Sequence, residues 1–187
     1  LGEIDPRIAE SLGRIRSSAD QLLTLVAGLG EAAVENVDSL YVDVAETDIH
    51  ELLSDIVDSI MPEATARGTT LTLENTDAAA PFFTDPERLE RALVLTLHAA
   101  IKASAGAPLR FVATTTNQRF HAVLTGMTAS VEDADVNAGV MAATSALTLR
   151  LAMAAQAIRP LNGALVISPG DGGMVLTITV PRSPLAD

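Results

Sequence analysis

Cysteine and tryptophan are absent from the 187-residue chain, and aromatic residues make up only 3% of it. Without cysteine there can be no disulfide, thiolate nucleophile or cysteine metal site. Few aromatic rings for stacking bases, together with a net charge of −12, argue against nucleic acid and anionic membrane surfaces as partners. Three scattered histidines cannot build a rich metal cluster, so no metal is expected.

Long apolar runs are also missing, although 48% of the residues are hydrophobic. No run approaches the roughly 18 residues that a membrane-spanning helix needs, and no charged-then-apolar leader opens the chain. The apolar content is nevertheless ample for a packed core. We therefore expect a soluble, folded chain without direct membrane insertion.

The first 38 residues carry the heptad spacing of a coiled coil or helical bundle. A lone helix of this kind would expose its apolar seam, so a partner helix is expected, from a second subunit or from preceding chain. We predict a dimerisation helix over residues 1–38, the second helix of a hairpin. Its predicted dimer interface consists of Ile8, Leu12, Ile15, Ala19, Leu22, Val26 and Leu29.

Residues 39–187 alternate between the period-two pattern of strands and the 3.6-residue pattern of helices. This order predicts an α+β fold, a two-layer α/β sandwich with helices on one face of a mixed sheet. The predicted strands are 40–44, 69–73, 81–84, 109–115, 120–124, 165–168 and 174–180, and the predicted helices are 49–66, 85–103 and 141–158.

Several short motifs, in this order, resemble those of the dimerisation and ATP-binding core of sensor histidine kinases. The matches are Asp85–Leu89 to the family's DPxRL, Ala100–Lys102 to the end of NAIKY, Asn162–Leu165 to GGxI, and Thr177–Pro181 to the closing FTLP strand. The resemblance implies a Bergerat-type, ATPase-like domain over residues 39–187, placed in the cytoplasm. It also implies two-component signalling.

The chain departs from the family at the nucleotide-binding boxes. Two asparagines that face the phosphates and magnesium in the family are replaced by Leu95 and Ala99, and the acidic residue between them by His98; Lys102 is retained. The resemblance places Leu124 where DxGxG has the aspartate that selects adenine, followed by Gly126.

The GLGL motif, whose glycines let phosphates approach a helix N-terminus, corresponds to the stretch containing Thr148 and Arg150. The stretch where a nucleotide lid would lie is short. The resemblance therefore implies that ATP and magnesium are not bound and that no catalytic residue is present. His50, His98 and His121 are interpreted as structural or exposed histidines, and the stretch around Asp133 and Asp135 as a solvated acidic loop.

Three functions agree with this pattern. The first is a non-catalytic pseudokinase that forms a homodimer and binds a response regulator receiver domain or another kinase. The second is a histidine phosphotransferase that relays phosphate through a histidine upstream of residue 1. The third is an active kinase with a divergent nucleotide pocket.

Overall fold

The computed structural model describes residues 41–77, 82–129, 131, 133–140, 143, 145–171 and 173–183. They belong to one unit, Tyr41–Asp187, and residues 1–40 form a separate unit. The predicted dimerisation helix over residues 1–38 and its interface lie outside the described residues. They stay predictions, as does the domain boundary at residue 38.

Strands and helices alternate along the described unit as the sequence pattern indicates. In chain order the elements are β1 (Ala45–Thr47), α1 (Ile49–Ala66), β2 (Leu71–Asp77), β3 (Phe82–Thr84), α2 (Pro86–Ala103), β4 (Leu109–Thr115), β5 (Arg119–Met127), α3 (Asp133–Asn137), α4 (Ala146–Ile158), a 3-10 turn (Arg159–Leu161), β6 (Ala164–Gly170) and β7 (Gly173–Pro181).

The main sheet has five strands in the order β2-β4-β5-β7-β6. The β2–β4 pair is parallel, and the other three pairs are antiparallel. β1 and β3 form a separate antiparallel ladder of two strands. A mixed sheet with its helices packed into a common core is the predicted two-layer α/β sandwich, so the fold class is confirmed.

Alternating burial along the strands separates a helix-covered face of the sheet from an open one. Along β4, β7 and β5 as far as Leu124, every second residue is buried, because successive side chains point to opposite faces. The helices meet the buried face with apolar stripes: Leu89, Leu93, Leu97 and Ile101 on α2 are all at most 1% exposed. This stripe has the 3.6-residue period that predicted α2.

The first turn of α2 also holds the chain that precedes β1. Asp85 is 5% exposed and caps the helix, since its Oδ1 accepts from the backbone N–H of Arg88 at 3.1 Å. Its Oδ2 accepts from the backbone N–H of Asp43 at 3.1 Å and pairs with Arg88 Nε at 3.2 Å. Arg88 Nη2 in turn donates to the Tyr41 carbonyl at 3.3 Å. The DPxRL-like motif thereby fixes residues 41–43 to α2.

Several sequence predictions differ from the structure, including the end of β2, which was predicted at residue 73 and lies at Asp77. The strand predicted at 40–44 lies at Ala45–Thr47, where it pairs with β3. The helix predicted from Met141 begins at Ala146, because Ser145 is extended and caps it. The acidic loop around Asp133 contains the short helix α3. In the described ranges, no helix is both long and apolar enough to cross a membrane.

Candidate nucleotide site

The α2 positions of the two expected asparagines are apolar and packed. Ala99 is completely buried, and Leu95 is partly buried against the same hydrophobic core. Neither side chain carries an oxygen that could coordinate magnesium. Lys102, in the last turn of α2, is exposed. The face of α2 that would carry metal ligands therefore contributes to the packing of the domain.

The position that the resemblance assigns to adenine selection is occupied by a core residue of β5. Leu124 is 3% exposed and lies in register with Phe111 on β4 and Leu176 on β7. An aspartate here would be a carboxylate inside an apolar layer, whereas leucine adds to that layer. Hence this position has neither the acceptor nor the accessibility that adenine recognition needs.

Gly126 is retained for a reason that the backbone explains. It has φ +100°, within an irregular stretch where the β5–β7 pairing shifts register, and a Cβ on it would lie 2.0 Å from the carbonyl oxygen of Pro108. Only glycine adopts this conformation at no steric cost and permits so close an approach. The contact between β5 and the residue before β4 therefore requires a glycine at this position.

The N-terminus of α4 is closed by its own cap. Thr148 is 3% exposed; its backbone N–H donates to Ser145 Oγ at 3.0 Å, and the two hydroxyls lie 2.8 Å apart. Thr148 thus lies in the first turn of the helix, nearer its start than the sequence predicted. Two residues on, Arg150 is half-buried, and its Nε is buried with no hydrogen-bond partner in the described structure. Side chains thus occupy both positions where the family has glycine.

The segment that joins β5 to α4 is fastened to the domain at several points. The Ala103 carbonyl at the end of α2 accepts from the backbone N–H groups of Thr128 and Ala129, at 3.0 and 3.1 Å, and from Thr128 Oγ1 at 3.0 Å. Val136 on α3 is 1% exposed, within the core. A segment with a buried apolar anchor differs from a lid that opens for a ligand.

His98 makes a contact that sequence reasoning missed. Its Nδ1 forms a short hydrogen bond with Glu63 Oε2 on α1, and Glu63 Oε1 accepts from Arg67 Nε at 3.1 Å. Burial acts to raise the pKa of the Glu63 carboxyl, but the hydrogen bonds and charges of His98 and Arg67 outweigh it, and the pKa lies below its ordinary value. Glu63 stands 35 residues from His98 and no sequence motif links them.

The structure brings part of the predicted site together. α2, which carries Leu95 and Ala99, packs against α4, which carries Thr148 and Arg150. Leu124 lies in the apolar core that both helices share. Among the described residues, no group of three or more histidine, aspartate or glutamate side chains is placed to hold a metal ion. Ala99 and Leu124 thus belong to the hydrophobic core and Leu95 packs against it, whereas Lys102 and Gly126 are exposed.

This fold is that of the ATPase-like catalytic domain of histidine kinases. A comparison with solved structures matches ShkA, whose crystal structure contains AMPPNP, with a TM-score of 0.73 and 18% identity over 100% of this chain and 41% of ShkA. The histidine kinase AdeS of Acinetobacter baumannii matches with a TM-score of 0.70 and 16% identity, over 98% of this chain and 88% of AdeS.

A third match is the histidine kinase ThkA in complex with the response regulator protein TrrA, with a TM-score of 0.72 and 14% identity. It covers 97% of this chain and 53% of the matched chain. No family model matches the sequence, and neither does any curated protein. The predicted likeness to a sensor histidine kinase core is confirmed by fold. The chain spans 41% of the length of ShkA.

Proposed function

We propose that this chain is a non-catalytic histidine-kinase-like signalling module that binds no nucleotide and acts through protein partners. One observation carries the proposal. The positions that hold nucleotide ligands in the resembled family are occupied by Leu95, Ala99 and Leu124, which belong to the hydrophobic core or pack against it. Restoring a ligand at the two buried positions would place a polar group among apolar side chains.

The N-terminus of α4 supports the same proposal. In nucleotide sites, phosphates use the backbone N–H groups of a helix N-terminus. Here Ser145 Oγ accepts the N–H of Thr148, and the Arg150 side chain lies in the following turn. A phosphate would have to displace this cap, and would thereby lose part of the binding free energy to the broken hydrogen bond.

Isothermal titration of the purified chain with magnesium-ATP and with ADP tests this proposal, at protein concentrations that detect millimolar dissociation constants. ShkA, whose structure contains AMPPNP, is the positive control. We expect no heat of binding and no displacement of a fluorescent nucleotide. Saturable binding of either nucleotide would overturn the proposal, and the chain would then be assayed as a kinase.

The proposed partners are a response regulator receiver domain or another kinase, with the chain acting as a homodimer in the cytoplasm. The complex of ThkA with TrrA supports a receiver domain as the partner, since a kinase of the same fold binds a response regulator protein there. Binding would act by shifting populations of the partner, with no phosphoryl transfer from ATP. Titration with isolated receiver domains and sedimentation equilibrium would measure binding and dimerisation separately.

A further inference from the structure

The histidine–carboxylate pair of His98 and Glu63 has the geometry of an oriented nucleophile. Glu63 accepts at Nδ1 of the imidazole ring, and Arg67 Nε holds the other oxygen of the same carboxylate at 3.1 Å. A carboxylate at one ring nitrogen keeps the proton on that nitrogen and leaves the lone pair on the other. The neutral imidazole ring of His98 therefore has its proton on Nδ1 and its free electron pair on Nε2.

Solvent can reach the nitrogen that would react. The His98 side chain is 30% exposed. In the described structure, His98 Nε2 makes no hydrogen bond. It is also not one of the polar atoms that are buried without a partner, so solvent reaches it. An unbonded ring nitrogen that is not buried is open to a reagent from solution.

One cation lies beside the pair. Arg67 Nε donates to Glu63 Oε1, the carboxylate oxygen that His98 does not use, and so lies one hydrogen bond away from the ring. A guanidinium at this position favours the approach of a phosphorylated anion and helps to stabilise the phosphoryl group once it is attached.

We propose that His98 is a phosphoacceptor, modified at Nε2 by a small donor of the phosphoramidate or acyl-phosphate class. The Nε2 lone pair attacks phosphorus, an N–P bond forms, and the bond from phosphorus to the donor's leaving group breaks. Phosphoramidate carries a third proton on its nitrogen at neutral pH, so its leaving group departs directly as ammonia, and that of an acyl phosphate departs as a carboxylate. The Nδ1 proton stays in its hydrogen bond to Glu63, so no further base is needed. The proposal does not depend on the absence of nucleotide binding.

His121 offers a matched internal control. It lies half-buried on β5, in register with Thr179 of the neighbouring strand, and no carboxylate bond to its ring is found in the described structure. If reactivity came from exposure alone, His121 and His98 would react at similar rates. If the carboxylate orients the nucleophile, His98 reacts first.

The experiment incubates the full chain with phosphoramidate in the absence of nucleotide and maps the sites by mass spectrometry at neutral to alkaline pH, where the N–P bond survives. We expect one phosphoryl group on His98, no such group in H98Q, and unchanged labelling in H121Q. In E63Q, His98 should be labelled about tenfold more slowly. This is the size of the loss when a group that orients a metal-binding histidine is removed. E63D, which keeps the carboxylate, should recover part of the rate even if E63Q is poorly folded.

Two results would overturn the proposal. One is labelling of His98 no faster than His121, which would leave the pair a purely structural contact between α1 and α2. The other is an equal rate in folded E63Q and in the unmodified sequence. Nucleotide binding detected by calorimetry would leave this proposal standing while removing the proposed function, so the two can fail separately.

Discussion

The carboxylate of Asp133 accepts a hydrogen bond from the backbone N–H of Ile167 at 2.8 Å, across 34 residues of sequence. Ile167 belongs to β6, the strand at one edge of the sheet, and Asp133 begins α3. The same carboxylate accepts from Asn137 Nδ2 through its second oxygen at 2.7 Å. One side chain thus starts a helix and occupies a backbone donor of an edge strand, where unpaired N–H groups invite association with other chains.

Replacing Asp133 with alanine should lower the free energy of unfolding by about 1 to 3 kcal/mol, because a part-buried backbone donor loses its partner. Asp135 on the same helix is exposed, so D135A is the control, with a change within about 0.5 kcal/mol. Urea unfolding followed by circular dichroism measures both. Equal values for the two variants would contradict the role given to the Ile167 contact.

Substituting Gly126 with alanine should destabilise the domain by about 2 to 4 kcal/mol, since the positive φ and the contact with the Pro108 carbonyl both oppose a Cβ. Gly139 has φ +92°, but a Cβ on it would meet nothing within 4 Å, so G139A isolates the cost of φ alone, about 1 kcal/mol. Thermal unfolding of the two variants measures the difference in their stability, which is the cost of the close approach to Pro108. A G126A protein as stable as G139A would show that the close approach relaxes without cost.

The carboxylate of Asp85 should be among the most sensitive polar groups of the domain. D85A removes a helix cap, a buried ion pair with Arg88 and the acceptor for Asp43, and should cost about 3 to 5 kcal/mol. E87A, in the same first turn, is the control and should change stability by less than about 1 kcal/mol. Limited proteolysis should also cut D85A faster near residues 41–43.

Asparagine at position 99 should destabilise the protein, although it restores a residue typical of the resembled family. Ala99 is completely buried, so A99N should cost about 2 to 5 kcal/mol through overpacking and an unsatisfied amide. Leu95 is only partly buried, and L95N should cost less, because the amide can reach solvent. Chemical denaturation of the two variants ranks them, and an A99N protein of unchanged stability would show that a cavity for ligands persists.

The pair of Glu63 and His98 should make stability depend on pH. The pKa of Glu63 is lowered in the folded state, so its contribution is fully present above the unfolded pKa near 4.5 and is lost as pH falls through the folded pKa. At neutral pH, E63Q should be less stable by about 1 kcal/mol, because it loses the part-exposed ion pair with Arg67. The gap should shrink as the pH falls below 4.5 and close once Glu63 is protonated in the folded state as well. A gap that stays constant through acid pH until the domain unfolds would contradict the carboxylate's role.

Sequence patterns located most of this fold because each long element carries one clear signal. The stripe Leu89, Leu93, Leu97 and Ile101 and the capping residue Asp85 gave α2 its bounds. The β4–β5 hairpin was predicted within a few residues. The start of α4 was misplaced because the Ala-rich stretch before Ser145 has helical composition, and only the extended backbone at Ser145 ends that pattern.

In the candidate site, too, some features could be predicted from the sequence and others could not. Sequence alone could identify Leu95, Ala99 and Leu124 as residues without ligand atoms, because the residue type is enough to show this. It could not foresee that Glu63 meets His98, or that the Pro108 carbonyl requires Gly126, because both contacts join residues distant in sequence. Nor could it place Asp133 at the edge of the sheet, since the periodicity around that residue is poor.

The position of β7 has a consequence for how the chain is made. β7 follows every other described strand in sequence, yet it lies between β5 and β6 and pairs with both. During synthesis β6 emerges from the ribosome before the strand that joins it to the rest of the sheet. Pairing of this half of the domain therefore waits until residues up to about 181 are free. Until then the apolar side chains of Leu165 and Ile167 on β6, which are buried in the folded domain, have no completed sheet to join.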